Sequence, residues 1–302
     1  MLGAVVEGVN ELFGGFSVAD CFPELELVVS AVTGFRRRLD RSGADLRRLC
    51  DDVVDEHITS RKKRHRVPVP GDDESFVDAL LRVQSSADLT VDNVKALVRD
   101  MFVGGTDATF TTPERVMAEL VRHPRALKKA QEEVRRVADD GAVEESHLGE
   151  LRYLRAAIKE TLRLHPPVPL LVQRESVAVC ALGGYDVAAG TRVLINAFGI
   201  SWDPEVWDDP LRFSPERFEN DGDADFRDAV YKMLSFGGGR RGCPGHAFAM
   251  ATVQLALASP LYHFDWALPD GVSVGGVNLD ESFGLTIRKK GVFYLYTIKK
   301  KY

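Results

Sequence analysis

Nowhere in the chain do some eighteen apolar residues run together, so the sequence offers no bilayer-spanning helix. The opening MLGAVVEGVNELFGGF lacks the basic start of a secretory signal and reads as the interior of an amphipathic helix rather than the start of a domain. Cysteine is scarce: Cys21, Cys50, Cys180 and Cys243 stand far apart with no CxxC pair. That excludes a disulfide scaffold and a zinc ribbon, and makes a reducing compartment the default. Positive charge is in deficit, with 39 Lys and Arg against 45 Asp and Glu, a net charge of −6 and a pI near 5.7. General nucleic-acid binding depends on neutralising phosphates and is therefore not expected. The one basic run, RKKRHR at 61–66, abuts the linker VPVPGDDES. There it reads as a solvated loop in preference to a nucleic-acid or import patch. Internal repeats are absent as well, which removes the solenoid architectures.

What is present is enough for a large core: 302 residues, 45% hydrophobic. Residues 26–60 place Leu27, Val28, Val32, Phe35, Leu39, Leu46, Leu49, Val53, Val54 and Ile58 at helical spacing. A long helix is predicted from Thr90, a plausible N-cap, to about His123, interrupted at Gly104-Gly105 and at Pro113. Another covers about Leu151 to Leu164 and stops before Pro166-Pro167. From Val168 to Ile200 the pattern turns β-like, with GGYDVAAGTRV as a hairpin and VLINAFGI as a strand. After a proline-rich loop over 203–235, an apolar helix is expected from about Pro244 to Ser259, then short strands and turns over 260–302.

The segment FGGGRRGCPG at 236–245 carries the chemistry. Five glycines crowded around one cysteine mark a backbone that approaches another group closely. The expected helix start beside Cys243 supplies N–H groups and a dipole that favour a thiolate. Arg240 and Arg241 add charge suited to carboxylates. A buried structural cysteine or a phosphate-cradling loop would be the alternatives, but the GK[ST] ending of the latter is missing.

Phe236, Gly239, Arg241, Cys243 and Gly245 fit the pattern F-x-x-G-x-R-x-C-x-G, and the segment resembles the haem loop of the cytochromes P-450. Three further segments agree in order. ETLRLHPP resembles the family's E-x-x-R helix through Glu160 and Arg163, one face of a helix apart by i,i+3. FSPERF supplies Arg217, which the resemblance places in the same buried network. GGTDATFTT resembles the oxygen-activating stretch through Gly104, Gly105 and Asp107. The usual threonine is replaced by Ala108, and Thr109 matches only the second threonine, about 100° further round the helix. Thr112 stands one turn below Ala108, where its hydroxyl is at best a support for a displaced water. Pro113 and Arg115 also depart from the aliphatic and aromatic residues common in the family.

The resemblance covers nearly the whole chain and is nearest to plant microsomal monooxygenases of specialised metabolism. It implies a mainly α fold with small β-sheets, the C-terminal part of the cytochrome P-450 fold. Residues 1–302 would form one incomplete domain: 1–66 helices like the F–G region, 67–89 a linker and short helix, 90–123 the long distal helix, and 151–302 the E-x-x-R helix, small sheets, haem loop and following helix. It implies haem b held by the Cys243 thiolate, framed by Phe236, Gly239, Arg241 and Gly245. Arg174 in LVQRES and Arg241 would meet the propionates, Gly105 would make room for dioxygen, and Asp107 with Thr109 would deliver protons. The activity implied is insertion of one oxygen of O2 into a small lipophilic substrate, with NADPH electrons arriving through cytochrome P-450 reductase. A full-length member would sit on the cytosolic face of the endoplasmic reticulum. This chain shows no counterpart of the anchor, first strands and pocket-closing helices, so weak folding or weak haem binding is expected of it, in the cytosol. Two other readings are a non-catalytic fragment and a reductase-independent haem-thiolate isomerase or dehydratase.

Overall fold

The longest helix begins with a reciprocal cap. The Thr90 hydroxyl accepts from the Asn93 N–H at 3.1 Å, while the Asn93 side chain accepts from the Thr90 N–H at 2.9 Å. This arrangement and those below come from a computed structural model that describes residues 22–64, 74–84, 86–138, 141–219, 231–282, 284 and 286–299. The opening segment, Cys21 and most of the Pro/Gly linker lie outside them. The chain is mainly helical with small antiparallel sheets and divides into two compact units, Met1–Asp107 and Ala108–Tyr302.

The first unit contains α1 (Glu26–Thr33), α2 (Phe35–Arg64), α3 (Phe76–Val83) and the start of α4 (Val91–Arg122). Val54, Val77, Leu81 and Val94 are buried together, and Leu46 and Cys50 are buried against Val98, Phe102 and Val103. Lys95 meets Asp55 at 2.9 Å and Arg99 meets Asp51 at 3.4 Å, so α2 and α4 are joined by charge as well as by apolar packing. The helical stripe expected across 26–60 divides in two. In α2 Leu46 and Val54 are buried and Ile58 packs against the core, but Val53 and, in α1, Leu27, Val28 and Val32 are exposed. Residues 61–64 of the basic run are helical, as the end of α2, where a loop was expected.

Neither Gly104-Gly105 nor Pro113 interrupts α4. Proline's fixed φ is helical, so Pro113 costs the helix only the amide hydrogen due to the Thr109 carbonyl and the crowding around it.

The second unit is built on α6 (Arg152–Leu164), preceded by α5 (Pro124–Val137) and followed by α7 (Ala197–Ser201) and α8 (His246–His263). Tyr153, Leu154 and every residue from Ala156 to Leu164 are buried. Around α6 lie Val116 and Leu120 of α4, Ala130 and Val134 of α5, and Leu257 and Leu261 of α8. Glu133 of α5 accepts the first free amides of α6, from Tyr153 at 2.8 Å and Leu154 at 2.9 Å, which a buried helix start requires.

Among the described residues, four two-stranded antiparallel sheets complete this unit. They pair β1 (Arg174–Glu175) with β4 (Arg192–Val193), β2 (Cys180–Leu182) with β3 (Tyr185–Val187), β5 (Phe264–Ala267) with β8 (Tyr296–Lys299), and β6 (Glu281–Ser282) with β7 (Arg288–Lys289). GGYDV does belong to a hairpin, but its partner strand is Cys180–Leu182, and Arg192–Val193 returns to β1. The expected strand VLINAFGI keeps only Val193 in β4. Asn196 caps a short helix instead, accepting the Gly199 N–H at 2.8 Å. Helix α8 starts two residues after Pro244 and extends through Pro260 to His263.

Candidate haem-thiolate site

The segment after Met233 and Leu234, both buried, folds back on itself before α8 begins. Gly237 N–H donates to the Leu234 carbonyl at 2.8 Å, and Gly242 N–H donates to the Gly239 carbonyl at 3.1 Å. The Cys243 N–H then closes the loop on the Phe236 carbonyl at 2.8 Å. Three glycines are called for by this path. Gly237 and Gly239 have φ +69° and +63°, a left-handed backbone, and a Cβ on Gly242 would lie 3.3 Å from the Gly239 carbonyl oxygen. At Gly245, by contrast, a Cβ would meet nothing within 4 Å; its carbonyl accepts the first bond of α8, from Ala249 N–H at 2.8 Å. Phe236 packs edge-on to His246, with ring centres 6.1 Å apart. The Cys243 thiol is exposed, ahead of the first turn of α8.

Behind the loop, α6 fixes its depth. Ser235 donates its hydroxyl to the Leu162 carbonyl at 2.8 Å. One residue further along α6, Arg163 makes a two-pronged pair with Glu160, at 2.8 and 2.9 Å, and neither residue is exposed to solvent. Arg163 also donates to the carbonyls of Ser201 and Pro210, each at 2.7 Å. Glu160 accepts the Ser214 N–H at 3.0 Å and faces Arg217 at 3.4 Å, so the expected three-residue network is formed. Every charge in it has a partner, which is the condition for burying charge at all.

Arg174 lies in β1, at the end of the connector that leaves α6. In that connector Leu171 reaches the loop: its Cδ1 is 3.9 Å from where a Cβ on Gly237 would stand. The Arg174 Nε is buried without a hydrogen-bond partner. Arg240 and Arg241 are exposed, in the short turn Gly239–Arg241.

On α4, Gly104 and Gly105 have open space where a Cβ would stand. Asp107 is buried at the end of the first unit. At the start of the second, the Ala108 carbonyl accepts the Thr112 hydroxyl at 2.8 Å and the Thr111 hydroxyl at 3.3 Å. Both alcohols donate back to the helix, which leaves Thr112 only its oxygen lone pairs for any water beside it. Thr109 is half-buried. Arg115 is buried, donates to the Leu279 carbonyl at 2.9 Å and pairs with Glu281 at 3.2 Å, while its Nε is buried without a hydrogen-bond partner.

The family model described as "Cytochrome P450" matches residues 4–294. The chain belongs to the cytochrome P450 family. It is 65% identical over 298 residues to a tryptamine 5-hydroxylase of Oryza sativa subsp. japonica, covering 96% of this chain and 56% of that protein. It is 42% identical over 301 residues to a desmethyl-deoxy-podophyllotoxin synthase of Sinopodophyllum hexandrum, covering 97% and 58%. With a phenylacetaldehyde oxime monooxygenase of Prunus mume the identity is 45% over 287 residues, covering 93% and 53%. The chain thus spans about half the length of the curated relatives it matches. Among the described residues no helix is long and apolar enough to cross a membrane.

Membership of the cytochrome P450 family implies a haem iron, and the second unit of this cytochrome P450 fits that group on two observations. The loop offers a thiol on a backbone held by its own amide bonds, a soft ligand on a fixed scaffold. The unsatisfied Nε of Arg174 is a buried donor of the kind a carboxylate would complete. Sequence reasoning named Cys243 and Arg174 as candidates but gave no place to Ser235, Leu171 or Gly242. Gly242 was visible in the glycine run; Leu171 and Ser235 act through tertiary packing that no local pattern records.

Proposed function

We propose that the protein is a haem-thiolate monooxygenase acting on a small lipophilic substrate, with residues 1–302 read as part of one cytochrome P450 domain. The single observation that carries this reading is the closed loop from Phe236 to Cys243, tied by Ser235 to the helix that bears the buried Glu160–Arg163 pair. When bound, the haem supplies the oxygen chemistry, and a thiolate ligand pushes electron density that favours O–O cleavage. The residues of the chain do the rest. Cys243 holds the group through sulfur, and Phe236, Gly239 and Gly245 shape the loop beside it. Arg174 and Arg241 hold its carboxylates, and buried Asp107 passes protons, with Gly105 leaving room and Thr109 as a partial substitute for the missing alcohol. NADPH electrons arrive through a reductase that docks beside Arg240, and the full-length form works at the cytosolic face of the endoplasmic reticulum.

The similarity to a tryptamine hydroxylase makes an arylalkylamine the first substrate to offer. A second reading, a haem-thiolate isomerase or dehydratase that needs no reductase, is favoured by Ala108, because Thr111 and Thr112 are both bound to its carbonyl. The test is a CO-difference spectrum of the dithionite-reduced chain beside Cys243→Ala. A strongly red-shifted Soret band, lost in the variant, supports thiolate ligation. Turnover of tryptamine with NADPH and reductase then separates the monooxygenase from the reductase-independent reading. Folded, haem-supplemented protein without the band would mean that this chain is a non-catalytic fragment.

A further inference from the structure

Away from the thiolate loop, the second unit buries another set of charged groups. Glu119 of α4 is only 3% exposed. Its carboxylate lies 2.7 Å from His165 Nε2, 3.4 Å from His123 Nδ1 and 3.7 Å from Arg122. On the other side of the His165 ring, Nδ1 lies 3.9 Å from Oε1 of Glu281 in β6, a charge contact rather than a hydrogen bond. Arg115 holds that same oxygen at 3.2 Å. Two residues beyond His165, the Pro167 carbonyl accepts the Ile287 N–H at 2.8 Å. His165 therefore heads the connector 165–173, with a carboxylate at each ring nitrogen.

A neutral imidazole can donate to Glu119 through Nε2 but carries no charge to attract Glu281; only the charged ring draws both carboxylates, one by a hydrogen bond and one across 3.9 Å. We propose that protonated His165 is a latch that bridges Glu119 on α4 and Glu281 on β6, holds the connector 165–173 in place, and slackens it when the ring is neutral. Arg115 and Arg122 oppose the charge on the ring, and His123 competes for Glu119. The balance still favours the proton. Burial pushes the His165 pKa down, but the Glu119 and Glu281 carboxylates outweigh it and hold it above the usual value of 6.5. Burial pushes Glu119 up, yet the two histidines take it down to about 2. His165 keeps Glu281 below the usual carboxylate range, against burial. The far end of the connector meets the thiolate loop through Leu171, so its order matters beyond the latch itself.

Amide hydrogen exchange of the full chain, read by mass spectrometry and corrected for the base-catalysed intrinsic rate, tests this directly. Between pH about 6 and about 9 the peptides covering 165–173 and 279–289 are expected to lose protection several-fold, while peptides of α5 do not. His165→Gln should give low protection in both peptides at both pH values. His123→Gln, which leaves the bridge intact, should keep the wild-type pH response. Equal corrected protection of the wild type at both pH values overturns the latch. So does a wild-type pH response that survives in His165→Gln or vanishes in His123→Gln. Should His165→Gln not fold, the wild type and His123→Gln still decide.

Discussion

At the scale of single residues, Glu160 shows how burial changes the meaning of a spacing. On a helix surface an i,i+3 pair contributes a few tenths of a kcal/mol. Here Glu160 and Arg163 are both fully buried, and Glu160 also faces Arg217 and the Ser214 amide. Glu160→Gln would leave a buried guanidinium without its counter-charge, at a cost of about 3 kcal/mol. Urea unfolding with an unchanged slope should show it; a loss below about 1 kcal/mol would mean the pair is not what carries this region. Residue types were the most legible part of the sequence. The E-x-x-R pair forms as its spacing suggested, and the glycine run folds back on itself as a tight loop, because each depends on neighbours close in the chain. Glu119, His165 and Glu281 gave no such signal. They meet across 46 residues and more, and nothing local marks them as partners.

At the scale of elements, helices were legible wherever a cap and a stripe agreed. Thr90 starts α4 and the Pro166-Pro167 pair lies just past α6, as their sequence neighbourhoods require. The misreadings share one cause, a local signal overruled by packing or capping. The apolar run around 193–200 reads as a strand, but Asn196 caps a helix there. Proline at 113 reads as a break, but most of the helix hydrogen bonds around it survive, and burial of the adjacent Val116 and Leu120 keeps the axis intact. The cost remains in the element even so. Pro113→Ala restores an amide to the Thr109 carbonyl and relieves the ring, and is expected to stabilise the protein by about 1–3 kcal/mol. Thermal unfolding is the measurement, and a variant no more stable than the wild type would show that the surroundings already compensate.

At the scale of the whole molecule, the buried charges of the second unit set a stability profile with two limbs. Glu119 is depressed in the folded state, with burial opposing and the histidine hydrogen bonds prevailing. Its contribution is therefore present above the usual 4.5 and lost as pH falls toward about 2. A fall of that size corresponds to about 3 kcal/mol. His165 and His123 are raised, so their contributions are complete below 6.5 and decline as pH rises through their folded values. Because both rings share Glu119, they titrate as a coupled pair. Unfolding free energies measured across pH should show a plateau between about 4.5 and 6.5, with losses on both sides. A steady rise in stability from neutral to alkaline pH would contradict the assignment.

The Arg163 network also bears on how long the folded state lasts. Its bonds to the carbonyls of Ser201, Pro210 and Arg212 close loops of 38, 47 and 49 residues without any covalent link. Closing a long loop costs entropy before the contact rewards it, so such a knot forms late on the way in. Interactions absent from the transition state raise the barrier to leaving while hardly changing the rate of arrival. The buried arginine is thus a timekeeper: it lengthens the lifetime of the native chain more than it hastens folding.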